Sequence, residues 1–471
     1  MCPTHHNILK LKALRRTWQE SCQDLHTQVA PVCPKKKSTP CKETVLYTKS
    51  SCEELHFILK TALITGLAMG NICHAGPPAL GEKAKSKSTP STAGAKAAPT
   101  FGKDPTLKRE DFIFSNIQTA SFLAKLPGSI NGQQFLIEDC HNCDIFLLDH
   151  CTSVQIDACV NCRIVVGPCE SSVFLRNCKR CTVVCAVQQF RTRDCENVDV
   201  YLYSATAPII ETSSGLRFSC FPLTYFSLQQ QFRQAKFSPW NNKWSEVGVI
   251  FDFTPDHGGW KPLPMRPHES PLAEMMPEEE NNGARSLWKM PSWTAEELGM
   301  SVDLPQLVVP ITSGLCARKE GIPTVFVCFA VVDVSFSLKL IVGTPKEALM
   351  IDFVTSIALA TKKSDGTRDG SDESTLLIRT RQMQLTGEQA AALFTSNTVL
   401  VEKSTETAKT TPGSVMMEFQ GAQSYQHVND TLQGGRFASE AAIRDVIFVS
   451  KDTTTALRLS DLVFQQWKPV V

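Results

Sequence analysis

The chain has 471 residues, of which 42% are hydrophobic and 20% charged, and its net charge is +1. This length supports two or three domains with their own cores, and the near-zero net charge excludes a global electrostatic attraction to nucleic acid or to an anionic membrane. The most apolar run, residues 325–343, contains Asp333 and Lys339, so it favours a buried strand over a membrane span.

The N-terminal part of the chain is predicted to be a poorly structured extension followed by a linker. Residues 1–68 are basic, with ten Lys/Arg and five Asp/Glu, and show little periodicity. Residues 69–103 are rich in Ala, Pro, Ser, Thr, Gly and Lys, a composition typical of flexible linkers. The first compact domain is therefore expected to begin near residue 104.

A repeat of 17–19 residues dominates residues 104–255. Four segments align on a cysteine, at Cys140, Cys159, Cys178 and Cys195, and a fifth copy is anchored at Ser213. Apolar residues recur five and three positions before the anchor and three and five positions after it, in alternation with polar residues. A period of two indicates short strands with one buried face. The predicted fold is mainly β: a right-handed parallel β-helix in which each repeat forms one coil.

The Cys-x-x-Cys pairs at 140–143 and 159–162 also match the spacing of a tetrahedral zinc site. A third pair recurs at 178–181 with the same period, and the fourth copy has Val198 in the second position. Valine cannot bind a metal, whereas a free cysteine packs as a small hydrophobe. A ladder of reduced cysteines without metal is the preferred interpretation, and zinc binding or a redox role is the alternative.

The residues four and two positions before each anchor point outward in this arrangement. Arg191 then lies between Phe174 and Ile209 of the neighbouring coils, and Arg193 lies between Arg176 and Glu211. One interpretation is a solvated face with partial ion pairs, each contributing under about 1 kcal/mol. The other is that an arginine on this face has a functional role.

Four stretches of this region resemble the tubulin-cofactor-C domain family. They are 126–140 (LPGSINGQQFLIEDC), 188–195 (QQFRTRDC), 208–211 (PIIE) and 252–255 (DFTP). The resemblance is dense from about residue 104 to residue 255, and it is closest to family members that activate an Arf-like GTPase in ciliary trafficking. It implies a β-helix, in agreement with the repeat.

The resemblance also assigns roles to residues. It implies that Arg191 is an arginine finger, that Gln188 assists at the nucleotide, and that Glu211 supports the arginine. We add Arg193 as a supporting residue because it lies on the same outward face. The predicted GTPase-docking surface consists of Gln189, Asp252 and Phe253.

The function implied is a GTPase-activating protein that acts on the GTP form of an Arf-like small GTPase, in the trafficking of lipidated proteins to the ciliary or plasma membrane. A guanidinium supplied in trans neutralises the charge that spreads over the γ-phosphoryl group and can accelerate hydrolysis by about 10³–10⁵-fold. GTP and Mg²⁺ would belong to the partner, so no cofactor, metal, nucleic-acid partner or independent catalysis is expected. The alternatives are a tubulin-folding cofactor that acts on the GTPase of tubulin and a non-catalytic scaffold.

A short motif inside the linker bears on membrane binding. Residues 69–73 (MGNIC) resemble the acylated start of close family members, in which the glycine is myristoylated and a nearby cysteine palmitoylated. Gly70 and Cys73 could be modified in this way only if translation began at Met69, and His74 replaces the preferred Ser or Thr. We expect a cytoplasmic protein that reaches the cytoplasmic face of the plasma or ciliary membrane if the Met69 start is used.

The rest of the chain is predicted to be a linker, residues 256–305, and a smaller α+β domain, residues 306–471. Runs typical of strands occupy 324–330, 414–419 and 446–449, and runs typical of helices occupy 387–394 and 438–444. In the same relatives this region resembles nucleoside diphosphate kinase, which implies a ferredoxin-like arrangement. His427 lacks the Gly-Ser context of that enzyme's phospho-accepting histidine, so a surface or structural role is expected. Residues 331–343 are a candidate insertion.

Overall fold

The computed structural model describes residues 107–120, 122–247, 260–263, 298–303, 306–330, 345–364, 375–395, 397–406, 413–434, 437 and 446–467. All of them belong to the unit Lys96–Val471. The predicted N-terminal extension and lipid-anchor motif lie outside the described residues, as do the predicted helix at 438–444 and the candidate insertion at 331–343. The boundaries of the predicted domains stay predictions.

Eleven strands form one sheet, in which every pairing between strands is parallel. They are β1 (Ile113–Ser115), β2 (Leu123–Lys125), β3 (Phe135–Glu138), β4 (Asp144–Leu147), β5 (Cys151–Asp157), β6 (Arg163–Arg176), β7 (Thr182–Arg193), β8 (Asp199–Ser204), β9 (Ile209–Glu211), β10 (Leu216–Cys220) and β11 (Trp260–Pro262). A 3-10 turn, Arg109–Phe112, precedes β1, and helix α1 (Leu228–Gln234) follows β10. The fold is a parallel β-solenoid, as the repeat predicts, and the hand of its coil stays a prediction.

The inward columns stack from coil to coil in the predicted register. Val154 is paired with Phe135 on one side and Val173 on the other, and Val173 is paired with Phe190. All four side chains are fully buried. Each coil therefore buries its inner face against the next coil, since a single coil has no core of its own. One residue of the outward column departs from expectation: Leu136, in register between Ile113 and Gln155, is buried.

The repeated cysteines are free thiols inside this core. Several of them donate to backbone carbonyls of the preceding coil, for example Cys162 Sγ to the carbonyl of Cys140 at 3.2 Å and Cys178 Sγ to that of Ile156 at 3.5 Å. In the part of the chain that the structure describes, no group of three or more His, Cys, Asp or Glu side chains is arranged to hold a metal ion. Cys169, on β6 and outside the repeated positions, is buried as well. Burial raises the pKa of its thiol to about 12.

Sharp corners flank each anchor residue. The residue before the anchor and the residue two positions after it adopt positive φ, between 43° and 65°, in all five coils from Cys140 to Ser213. They are Asp139, Asn142, Ala158, Asn161, Asn177, Arg180, Asp194, Asn197, Thr212 and Gly215. Asn and Asp tolerate this left-handed conformation because their short side chains can bond locally, which explains why they predominate at the corners.

The C-terminal described residues form a four-stranded antiparallel sheet with helices. Its strands are β12 (Thr324–Phe329), β13 (Leu376–Met383), β14 (Ser414–Gln420) and β15 (Ile447–Val449), in the order β13-β14-β12-β15. The helices are α2 (Pro345–Ser364), α3 (Gly387–Phe394), α4 (Thr398–Glu406), α5 (Ser424–Gln433) and α6 (Thr453–Asp461), which continues into a π-helical turn, Leu462–Gln466. The predictions for β12, β14, β15 and α3 are confirmed. The likeness to nucleoside diphosphate kinase stays a prediction.

Polar groups are buried in this second region. Glu418 on β14 is fully buried, with Arg318 Nε 2.8 Å from Oε1 and Arg379 Nε 2.6 Å from Oε2. The Arg379 guanidinium lies 4.3 Å from the centre of the Phe464 ring. His427 is also buried, with Nδ1 2.8 Å from Thr375 Oγ1, which agrees with a structural role.

A connecting segment, residues 238–244, is hydrogen-bonded to both regions. On the β-solenoid side, Tyr203 donates to the carbonyl of Ser238 at 2.7 Å. On the sheet side, Thr380 Oγ1 donates to the carbonyl of Trp240 at 2.7 Å, and Gln382 N donates to Asn241 Oδ1 at 2.7 Å. Among the helices that the structure describes, none has the length and apolarity needed to cross a membrane.

Candidate functional site

Arg191 lies on the outer face of β7. Its chain neighbours Phe190 and Thr192 point into the core and are fully buried, so the alternation of the strand directs Arg191 outward. The neighbouring coils place Phe174 and Ile209 in register with it, as the repeat predicts. The Arg191 side chain keeps 39% of its surface exposed, so part of the guanidinium faces solvent.

Glu211 on β9 holds this guanidinium from the following coil. Its Oε1 is 2.7 Å from Arg191 Nη2, and its own side chain is 19% exposed. In the strand register Glu211 lies opposite Arg193, yet the carboxylate reaches diagonally to Arg191. A charge-assisted hydrogen bond of this length restrains the orientation of the arginine, although its partial exposure limits its contribution to stability.

Three arginines converge on one aromatic ring. The guanidinium carbons of Arg191, Arg176 and Arg193 lie 5.2, 5.5 and 5.8 Å from the centre of the Phe174 ring, distances typical of cation–π contacts. Arg176 also pairs with Asp157 at 2.6 Å. Arg193 is 47% exposed, and its Nε is 3.7 Å from a carboxylate oxygen of Asp194.

The two glutamines before the arginine differ in exposure. Gln188 is exposed, and its carbonyl accepts hydrogen bonds from Thr206 N at 3.0 Å and Thr206 Oγ1 at 2.9 Å. These bonds fix the backbone three residues before Arg191. Gln189 is half-buried and in register with Ser172 of β6.

The structure therefore brings Arg191, Arg193 and Glu211 together on one face, with Gln188 and Gln189 on the same strand. The predicted docking residues Asp252 and Phe253 lie outside the described residues, and so do the predicted acylation positions Gly70 and Cys73. The functional roles assigned to all of these residues stay predictions.

Two features of this face could not be seen in the repeat alone. The repeat places Phe174 beside Arg191, but it does not show that three guanidinium groups share its ring. It places Glu211 opposite Arg193, but it does not show that the carboxylate turns to Arg191. The only signal available was the spacing of arginines at 176, 191 and 193 around an aromatic position.

This arrangement offers a fixed positive charge at a surface. A guanidinium does not deprotonate in proteins, and its planar fork matches the oxygens of a phosphate. Held by a carboxylate on one side and packed on a ring on the other, it presents a restrained cation to an anionic group of another molecule.

Comparison with known protein families identifies the domain that carries this face. The family model described as "Tubulin binding cofactor C" matches residues 132–253, which include the whole of the arginine face. A solved structure, "Tubulin Binding Cofactor C from Leishmania major", is 19% identical, covers 32% of this chain and 88% of its own, and has a TM-score of 0.23.

Two relatives are similar over much more of the chain. "Protein XRP2" of Danio rerio is 35% identical over 371 residues, which are 78% of this chain and 84% of the relative. "Protein XRP2" of Gallus gallus is 38% identical over 257 residues, 54% of this chain and 67% of the relative. The chain belongs to the XRP2 family and contains a tubulin binding cofactor C domain.

Proposed function

We propose that the chain is a GTPase-activating protein that supplies Arg191 in trans to the GTP form of an Arf-like small GTPase. The observation that supports this most directly is the position of Arg191, half-exposed on the solenoid and hydrogen-bonded to Glu211 at 2.7 Å. Membership of the XRP2 family and the match to the tubulin binding cofactor C model over this face also support it.

The chemistry requires little beyond this cation. In GTP hydrolysis negative charge spreads over the γ-phosphoryl oxygens, and a GTPase without a cation there is slow. Arg191 would neutralise that charge, with Gln188 beside the nucleotide and Gln189, Asp252 and Phe253 at the docking surface. The partner would contribute the nucleotide and Mg²⁺, and the chain would act as an activator instead of an independent enzyme.

Single-turnover hydrolysis tests this proposal. Arf-like GTPases loaded with GTP are mixed with the full chain, and phosphate release is followed. At least one of them is expected to hydrolyse GTP about 10³–10⁵-fold faster. Arg191→Ala should abolish the acceleration. Arg191→Lys should restore little of it, because an ammonium lacks the planar fork.

Arg217→Ala is the matched control. Arg217 also pairs with a carboxylate of the adjacent coil, Asp199, at 2.6 Å, but it lies on β10, away from the candidate face. This variant should stimulate hydrolysis like the wild type. Full activity of Arg191→Ala would refute the arginine-finger assignment.

Tubulin is the second candidate substrate. The family model that matches residues 132–253 carries the name of a tubulin binding cofactor, and the same arginine could act on the GTPase of tubulin. The assay therefore includes tubulin in parallel. Stimulation of tubulin alone would favour a folding cofactor, and stimulation of neither partner would favour a non-catalytic scaffold.

Membrane binding is proposed for one form of the chain. A protein beginning at Met69 would expose Gly70 for myristoylation and Cys73 for palmitoylation, and two acyl groups give stable anchoring where one does not. This form would deliver the activator to the cytoplasmic face of the ciliary or plasma membrane, the destination proposed for the lipidated proteins. A Met69 form should fractionate with membranes, Gly70→Ala should release it, and mass spectrometry of the native N-terminus would show which form cells contain.

A further inference from the structure

We infer that Phe174 is a positioning residue for the proposed GTPase activation: its ring fixes the orientation of the Arg191 guanidinium that acts on the partner's nucleotide. The inference rests on the proposed function, but the geometry on which it is built can be measured without any GTPase.

The Arg191 side chain is held from both adjacent coils. Phe174 lies in the preceding coil and is paired with Arg191 across strands β6 and β7. The centre of the Phe174 ring is 5.2 Å from the guanidinium carbon of Arg191. Glu211, in the following coil, binds Nη2. A single hydrogen bond leaves the guanidinium free to pivot about it, whereas a ring against the guanidinium restricts that rotation. The two contacts together define the direction of the side chain.

The burial of the Arg191 Nε atom also points to the Phe174 ring. This atom is buried, and no residue in the described part of the chain accepts a hydrogen bond from it. A buried donor without an acceptor is costly, and an aromatic π face accepts weakly from N–H groups. The guanidinium carbon bonded to Nε is 5.2 Å from the centre of the Phe174 ring, and we assign to this ring the compensation of part of that cost.

Arg176 shares the buried Nε without an acceptor in the described part of the chain, but the three arginines differ in exposure and in distance from the ring. Arg176 is bound to Asp157 at 2.6 Å, and Arg193 is the most exposed of the three. Arg191 is also the closest of the three to the ring centre. Arg176 and Arg191 each keep a carboxylate when the ring is lost, Asp157 and Glu211, and Arg191, as the closest to the ring, should be affected most.

The test compares variants that remove or keep the ring. Phe174→Leu keeps an apolar side chain without a π face, and Phe174→Trp keeps a strong one. In single-turnover assays titrated to saturation, Phe174→Leu should lower the maximal stimulated rate by about three- to thirtyfold, the range that follows from a cation–π contact. The concentration for half-maximal stimulation should change by less than about twofold.

The controls separate positioning from folding and docking. Phe174→Trp should retain most of the maximal stimulated rate. Gln155 is paired with Phe174 and lies one coil further from Arg191. Gln155→Ala should therefore retain the full rate. A wild-type rate for Phe174→Leu would overturn the inference. So would equal losses in the Leu and Trp variants, or a loss confined to the half-maximal concentration, which would make Phe174 a docking contact.

An NMR measurement on the free chain separates this inference from the proposed function. The Nε–Hε signal of Arg191, identified by its disappearance in Arg191→Lys, should carry the ring-current shift of a proton near an aromatic face. The shift should vanish in Phe174→Leu and remain in Phe174→Trp. An unchanged signal in Phe174→Leu would refute the positioning role. If the signal behaves as expected while Arg191→Ala stimulates like the wild type or no GTPase responds, the proposed function fails instead.

Discussion

In the β-solenoid, the buried residues of one coil are nearly repeated in the next, whereas the antiparallel sheet has a core without repetition. The solenoid stacks Phe, Val, Ile and Cys in columns that extend through successive coils. The sheet places the carboxylate of Glu418, on the inner strand β14, between two arginines. The two regions thus differ in whether their cores depend on many similar contacts or on a few particular ones.

This difference predicts how each region responds to damage. A substitution in one solenoid coil changes one residue of a column, and the residues of the coils on either side remain packed. A substitution at Glu418 leaves the buried charge of Arg379 without its carboxylate, and no neighbouring residue repeats its role. The most damaging single substitutions are therefore expected in the sheet region.

The largest effect is expected from Glu418→Gln. The variant keeps the shape of the side chain but removes the charge that compensates Arg379, which is 9% exposed, and Arg318. Breaking a buried ion pair costs about 3–5 kcal/mol. Urea denaturation of the wild type and the variant measures the loss. A loss below about 1 kcal/mol would contradict the contrast between the two regions.

A cavity in the solenoid should cost less. Cys159→Ala removes one fully buried thiol from a stacked column, and the expected loss is on the order of 1–2 kcal/mol. Cys181→Val should cost less still, because Val198 already fills that column one coil later. Denaturation of both variants tests this order, and a larger loss for Cys181→Val would argue that the thiol has a role besides packing.

Alkaline pH should weaken the solenoid through its buried thiols. Burial raises the pKa of Cys169 from 9.0 to about 12, so the folded state holds this proton more tightly than the unfolded state. The resulting stabilisation is fully present below the ordinary pKa of 9.0 and is lost as the pH rises towards 12. At pH 10, one unit above the ordinary value, the loss is about 1.4 kcal/mol. Cys169→Val should show a correspondingly shallower decline in urea midpoint between pH 8 and pH 10.

The smallest effect is expected at the solenoid surface. Lys179 and Glu196 are paired at 3.0 Å across adjacent coils, but their side chains are 45% and 52% exposed. Solvent screens such a pair, so Glu196→Gln should cost no more than about 0.5 kcal/mol. This variant is the matched control for Glu418→Gln, since both replace a glutamate in an ion pair with glutamine. Similar losses in both would show that burial does not decide the outcome.

The solenoid could be predicted from the sequence in more detail than the sheet. Its spacing of 17–19 residues fixes which residues share a column, so the burial of Val154, Val173 and Phe190 and the position of Arg191 beside Phe174 follow from the repeat. The sheet offers no such regularity. Strands β12 and β14 are recognisable as apolar runs, but their pairing joins residues about ninety positions apart, which a local pattern does not specify.

The candidate site shows the same limit on a smaller scale. The strand period directs Arg191 outward, but the reach of a side chain depends on its rotamer, which the period does not determine. Hence the repeat places Glu211 opposite Arg193, whereas the carboxylate binds Arg191. The buried ion pairs of Glu418 were likewise not predicted, because alternation in a strand signals burial but not the charged partners that arrive from elsewhere in the chain.

The segment 238–244 is expected to couple the unfolding of the two regions. Its carbonyl and side-chain groups are bound to Tyr203 in the solenoid and to Thr380 and Gln382 in the sheet. Separation of the two regions would break bonds on one side of this segment and expose polar groups that are now paired. Opening of the sheet should therefore spread to the last coils of the solenoid, so a substitution far from Arg191 can lower the cellular abundance of the protein while its chemistry stays intact.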